Sequence, residues 1–266
     1  MPPTTHRTDF LALISVSRAN PNGDPLHGGR PRTDRAGHGL ISPVCVKRKL
    51  RDRLGEMGAE ILISPPCVPG DSLALRAARI KSGSDYTKRA CERWYDVRAF
   101  GQVFAFSGAH YPSVKGAVSL QEALSLHPVR LCREGITRCI CSSANAQRNS
   151  EIGFRQFVEY GLYTLCGSVN AYAAAKTGFS NEDCEMLRLA LLRMFDNDSS
   201  AARPAGSMAV KRLFWWEHSG MIGRYPPDRV FKTVKAELLC SGTPLCFEDY
   251  RIIHEPLPDL NPEIYG

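Results

Sequence analysis

No apolar run in the sequence approaches the roughly 18 residues that would suggest a membrane span. The longest early run, Phe10 to Val16, is too short to cross a bilayer and follows Asp9 closely, a poor setting for a secretory leader, so it reads as a strand. There is no internal repeat and no low-complexity tract. A GxxxxGK[ST] phosphate loop, a serine nucleophile elbow and a CxxC pair are all missing, which removes the usual signatures of P-loop, hydrolase, zinc-ribbon and thioredoxin chemistry. The ten cysteines that are present come no closer than Cys139-Ile140-Cys141, and Cys45, Cys166 and Cys184 sit in apolar-patterned segments. They read as free thiols acting as small hydrophobes in a reducing cytoplasm. With 43% hydrophobic and 23% charged residues the chain is neither disordered, collagen-like nor a bare coiled coil. Its 266 residues suit one domain enlarged by insertions, or two small ones.

Charge is distributed unevenly. The chain carries 34 Lys+Arg against 27 Asp+Glu, a formal +7. The stretch Arg30 to Arg53 alone holds eight basic residues and two acids, whereas Glu248 to Glu263 holds five acids against Arg251. A basic front and an acidic end suit a polyanionic partner or head-to-tail self-association.

Thr8 to Ser17 is apolar on both alternating sides, which predicts a central strand covered on both faces. Asn20-Pro21-Asn22-Gly23-Asp24-Pro25 then supplies a cluster of turn formers and exposed backbone donors. Ser42-Pro43 predicts a helix start, with Val46, Leu50 and Leu54 as its buried stripe, Gly55 or Gly58 as its end, and Lys47, Arg48 and Arg51 facing solvent. Residues 55–111 read as an insertion with two short helices, Ser72–Lys81 and Asp85–Val97. A strand over Val118 to Leu126, a polar irregular stretch over 131–154 and a strand from Phe157 to Cys166 follow. Ser180 caps the next helix with Asp183 in capping-box position, Met208 to Trp216 is a fourth strand, and Asp228 to Leu239 reads as an amphipathic helix. With the insertions removed the order is β-α-β-β-α-β, so the fold class is α+β, a ferredoxin-like (RRM-like) βαββαβ plan.

Cations, aromatic faces and backbone donors together point to RNA. Arg98-Ala99-Phe100-Gly101-Gln102-Val103 resembles the signature of an RNA-recognition motif but lacks the stacking aromatics at Gln102 and Ala105, so RNA would be held along its backbone. The rival is a metal-dependent endoribonuclease drawing on Asp24, His27, Asp34 and His38 in one loop.

The turn Asn20 to Pro25, Pro31-Arg32-Thr33-Asp34, and Leu40 through Asp52 resemble the backbone subunit of subtype I-C CRISPR Cascade complexes, a Csd-type member of the repeat-associated RNA-binding superfamily. Asp96-Val97-Arg98-Ala99-Phe100-Gly101, Val158 to Tyr163, Thr177 to Ser180 and Ser200 to Arg203 extend the match in order over most of the chain. The resemblance implies a hand: a palm from residues 1–54, 112–129 and 157–266, a finger-like helical insertion at 55–111 and a thumb-like hairpin at 130–156. It implies copies stacked head to tail along the spacer of a CRISPR RNA, which pairs with target DNA in bacterial antiviral defence. Partners would be neighbouring copies, the large, RNA-processing and small Cascade subunits, and a recruited helicase-nuclease. No membrane, metal, cofactor or catalytic role is expected. Carried over by position, the RNA grip would be Asn20, Asn22, Arg32, Lys47, Arg48, Arg51, Lys115, Gly116, Arg138 and Arg203, with Ala117 departing from the family's usual Pro.

Overall fold

The structure is a computed structural model describing residues 2–266 apart from 67, 82, 107–108, 139–150 and 240. Its centre is β1 (Thr8–Ala19), where every residue from Phe10 to Ile14 is fully or almost fully buried. Phe10, Ala12, Ile14 and Val16 enter one core and Leu11 and Leu13 another on the opposite face, so the expected two-sided burial holds. Each such leucine is worth about 1.5–3 kcal/mol relative to exposure.

After β1 a small hairpin of β2 (Gly23–Asp24) and β3 (Arg30–Pro31) leads to β4 (His38–Ile41) and α1 (Pro43–Glu56). The insertion carries α2 (Leu73–Ala77), α3 (Tyr86–Arg93), α4 (Tyr95–Phe100) and a minimal hairpin of β5 (Ala105–Phe106) and β6 (Ala109–His110). It has its own core of Leu62, Ile80, Tyr86, Trp94, Val97 and Phe104. The one helix expected over Asp85–Val97 is two, because Trp94 is extended (φ −103°, ψ 120°) and turns the chain.

The chain then re-enters the sheet through β7 (Val118–Leu120), β8 (Ala123–Pro128), β9 (Leu131–Arg138) and the 19-residue β10 (Glu151–Val169). The stretch expected to be irregular, 131–154, is therefore strand over 131–138 and 151–154; β9 pairs with the start of β10, Arg138 opposite Glu151 through Leu131 opposite Val158. Their polarity reflects a ribbon largely exposed to solvent, which hides the alternation that marks a half-buried strand. α5 (Ala171–Thr177), capped by Asn170, and α6 (Asn181–Leu192) follow, the latter with the expected Ser180–Asp183 capping box. β11 (Met208–Glu217) comes next. The helix expected over Asp228–Leu239 is instead the short α7 (Pro227–Phe231) and a strand, β12 (Val234–Leu238), whose inward Val234, Ala236 and Leu238 have period two. β13 (Tyr250–His254) pairs with β12, and β14 (Glu263–Tyr265) closes the chain.

The main sheet runs β14-β11-β1-β10-β8-β4, with β7 and β9 also paired to β10. All of these pairings are antiparallel. α1 and α6 cover one face through Val46, Leu50, Leu54, Leu187 and Leu191. The other face is covered by Val230, Tyr250 and Leu260 against Leu11, Leu13, Phe214 and Trp216. The architecture is a mixed α/β one built on a large antiparallel sheet, and no helix among the described residues is long and apolar enough to cross a membrane.

Candidate nucleic-acid interface

The loop after β1 and the start of α1 are one unit. Ser42 accepts from the Cys45 amide (3.4 Å) as N-cap, while its own amide donates to Asn22 Oδ1 (2.9 Å). Asn20, 8% exposed, donates from Nδ2 to the Gly29 carbonyl (2.6 Å) and from its backbone to Ala202 (2.9 Å). Both asparagine side chains thus hold the loop's shape, and what the loop offers outward is backbone. The Arg32 guanidinium lies 3.3 Å from Asp24, beside a cavity of about 220 Å³ lined by Asp24, His27, Arg30, Arg32 and Leu40. Asp24 also accepts from His27 (2.7 Å) and from the Leu26 amide (3.2 Å). The His27 hydrogen bond is the main reason its carboxyl is held below the usual range.

The remaining loop acids and histidines do not converge. Asp34 Oδ1 accepts from the amides of Ala36 and His38, both at 2.8 Å, the local turn chemistry of an aspartate. His38 Nδ1 lies 2.8 Å from the Ser125 carbonyl. Among the described residues no three His, Cys, Asp or Glu side chains are grouped to hold a metal.

α1 sorts its cations by depth. The expected stripe of Val46, Leu50 and Leu54 is buried. Lys47 stands 5.5 Å above the Phe100 ring and makes no ion pair with a carboxylate among the described residues. Partial burial, then the nearby Arg51, hold its amine below the ordinary lysine value. Arg48 forks onto Asp52 one turn along and reaches the Ile63 carbonyl (3.3 Å).

Arg51 corrects the expectation that all three cations face solvent. Its Nε donates to Asp96 (2.9 Å), which is 1% exposed and also accepts from the Leu62 (2.8 Å) and Ile63 (3.0 Å) amides. That joint ties α1 to the insertion, so Arg51 is committed to the fold. Lys49, also within the basic stretch, is buried against Asp198 and Phe195, and Asp198 binds Arg203 as well (Nε, 2.9 Å).

Beside Phe100 the chain passes close to itself. Gly101 has φ 81°, and a Cβ there would stand 2.5 Å from the Val114 carbonyl; one on Gly116 would stand 2.4 Å from the Ala99 carbonyl. Two glycines therefore let the end of α4 and the segment before β7 touch backbone to backbone, sealed by Gln102–Val114 hydrogen bonds of 3.0 and 2.8 Å. Exposed Lys115 thus lies in the segment whose backbone meets that of Phe100, the ring beneath Lys47 and Arg51. Arg138 ends β9 opposite Glu151; its side chain lies outside the described residues.

The β9–β10 ribbon contributes a pair that sequence reasoning missed. Phe154, 56% exposed, sits opposite Gly135, and the Arg133 guanidinium stacks 3.7 Å from its ring centroid. The signal was the exposed apolar series Ile136, Ile152 and Phe154 within a polar stretch. The base of this ribbon reaches the loop after β1 through Gln156 and the Gly28 carbonyl (3.4 Å), so loop, helix and ribbon border one another.

Residues 6–255 match the family model for CRISPR-associated protein Cas7. The chain belongs to the Cas7 family. A curated relative, "CRISPR-associated protein Cas7" of Haloferax volcanii, is 24% identical over 232 residues, covering 76% of this chain and 68% of the relative. The Cas7 fold is shared with a chain of a solved "CRISPR RNA-guided surveillance complex, pre-nicking", at TM-score 0.55 and 14% identity over 79% of this chain and 78% of that one. A second, "CRISPR RNA-guided surveillance complex", gives 0.52 and 17%, over 79% and 68%.

Proposed function

We propose that this Cas7 chain is the non-catalytic, RNA-binding backbone subunit of a type I-C Cascade complex in the cytoplasm. On this reading β11-β1-β10-β8, with α1 and α6 on one face, is the ferredoxin-like palm, residues 55–111 the finger and 130–156 the thumb. Copies polymerise head to tail along the spacer of the CRISPR RNA beside the large, RNA-processing and small subunits. The guide's bases stay free to pair with target DNA, and a recruited helicase-nuclease does the cutting. Backbone contacts carry affinity and base pairing carries sequence, a division of labour that RNA-guided effectors share.

One observation carries the reading: Lys47 stands over the ring of Phe100, whose backbone meets that of the segment carrying exposed Lys115, and neither lysine is paired with a carboxylate among the described residues. A cation without a protein counter-charge gains most from a phosphate, because no intramolecular carboxylate has to be displaced first. Arg32, the outward backbone of the 20–24 turn and the Arg133–Phe154 stack extend the surface. The test is Lys47→Glu with Lys115→Glu, co-expressed with a CRISPR array and the sister subunits. Loss of co-purifying guide RNA, with the unfolding temperature unchanged, supports the assignment. A well-folded double variant that keeps its RNA refutes it.

A further inference from the structure

Of the cations expected to grip RNA, several are already matched by a carboxylate in the free chain, and the carboxylates fall into two groups. Asp96 and Asp198 serve buried partners and are committed to the fold. Asp24 and Asp52 are different. Asp52 is 50% exposed and lies one helical turn from Arg48, itself about one-third exposed. Asp24 is a loop residue whose partner Arg32 is 37% exposed. Asp24 itself is only 18% exposed, but both arginines reach solvent, and partly exposed pairs of this kind contribute only about 0–1 kcal/mol to stability. The loop carrying Asp24 is tied to the start of α1 by the Asn22–Ser42 hydrogen bond, and Arg48 and Asp52 lie on the same helix as Lys47.

We propose that Asp24 and Asp52 are specificity-determining residues: they occupy the guanidinium groups of Arg32 and Arg48 and so suppress binding of the free subunit to arbitrary RNA. This rests on the RNA-binding reading. A phosphate reaching Arg32 or Arg48 must displace an intramolecular carboxylate, whereas one reaching Lys47 or Lys115 displaces only solvent and counterions. Isolated contacts with a passing strand are therefore weak. A strand laid along consecutive copies presents many phosphates at once, and their combined gain exceeds the cost of releasing the two arginines in each copy.

The experiment uses the full chain, stripped of nucleic acid, and fluorescein-labelled polyuridylate as the probe, with binding measured across a salt series. Asp24→Asn keeps an oxygen for the Leu26 amide, and Asp52 is solvent-exposed, so both variants should fold. Each freed arginine adds about 0.7 to the slope of log K against log salt for a single strand, which is about a four-fold gain in affinity near 0.15 M salt. The double variant should show about twice that increment in slope. Asp259→Asn, which removes the same charge from the Arg224 pair in the C-terminal layer, should change neither.

Unchanged affinity and slope in Asp24→Asn with Asp52→Asn overturns the proposal, and so does an equal gain from Asp259→Asn, which would make the effect one of net charge. A lysine double variant separates this failure from failure of the RNA-binding reading. If Lys47→Glu with Lys115→Glu abolishes binding while the aspartate variants match the parent, only the specificity role is wrong. If the parent and every variant fail to bind polyuridylate, both are wrong.

Discussion

Replacing Asp96 should cost this protein far more stability than reversing the charge of Lys47, a cation on the neighbouring helix. Asp96 lies at the start of α4, 1% exposed, and accepts three hydrogen bonds, from Arg51 Nε and the amides of Leu62 and Ile63. Asp96→Ala strands a guanidinium whose side chain is 13% exposed, together with two backbone donors at the root of the insertion. Breaking a buried pair by removing one partner costs about 3–5 kcal/mol. At about 2–4 °C per kcal/mol for a chain of this size, the unfolding temperature should fall by about 6–20 °C. Arg51→Glu should be at least as damaging, since it sets two carboxylates against each other. Lys47→Glu, which breaks no ion pair among the described residues, should stay within about 0.5 kcal/mol of the parent. Thermal unfolding by circular dichroism, with urea titration for the free energy, measures all three. An Asp96→Ala protein within about 1 kcal/mol of the parent would refute the joint, and with it the separation of Arg51 from Lys47.

Three further outcomes follow from the same geometry. Gly116→Ala drives a methyl group to 2.4 Å from the Ala99 carbonyl, so it should destabilise by about 1–3 kcal/mol and weaken guide retention by displacing Lys115, read by unfolding and by co-purified RNA. Burial alone would raise the Asp9 carboxyl, but hydrogen bonds from His218, Arg7 and Ser168 bring it below its usual value. Its contribution is therefore present above about pH 4 and lost as pH falls through the depressed value, so the stability gap between parent and Asp9→Asn should narrow on acidification. Asp24→Ala and Asp34→Ala should leave bound RNA intact and retained with magnesium present; loss of a magnesium-dependent cleavage in either variant would establish the nuclease alternative.

What could be read from the sequence was local. The two-sided burial of β1, the Ser42-Pro43 start of α1 and the Ser180–Asp183 capping box each lie within one short window of residues. The amphipathic stretch after Asp228 misled because α7 runs straight into β12, and a short helix followed by a short strand imitates one longer helix. The polar ribbon of β9 and the start of β10 misled because it is held by cross-strand pairing rather than by a buried face. The site was legible as a stretch of charge and illegible as individual roles. Arg51 and Lys47 are both basic residues on one helix, and what separates them is Asp96, 45 positions away, while Lys49 is claimed by Asp198, 149 positions away. Counter-charges supplied from remote sequence decide which cations are free, and no local pattern records them.

The central claim, that this chain holds a guide RNA and does not cut it, is tested most directly by its own cargo. The chain is co-expressed with a CRISPR array and its sister subunits, the assembly is purified, and the bound RNA is run on a denaturing gel before and after magnesium is added. A discrete full-length guide, unchanged by magnesium, is the expected result. An assembly without RNA, or a complementary RNA that shortens with magnesium unless Asp24 or Asp34 is replaced by Ala, would contradict it.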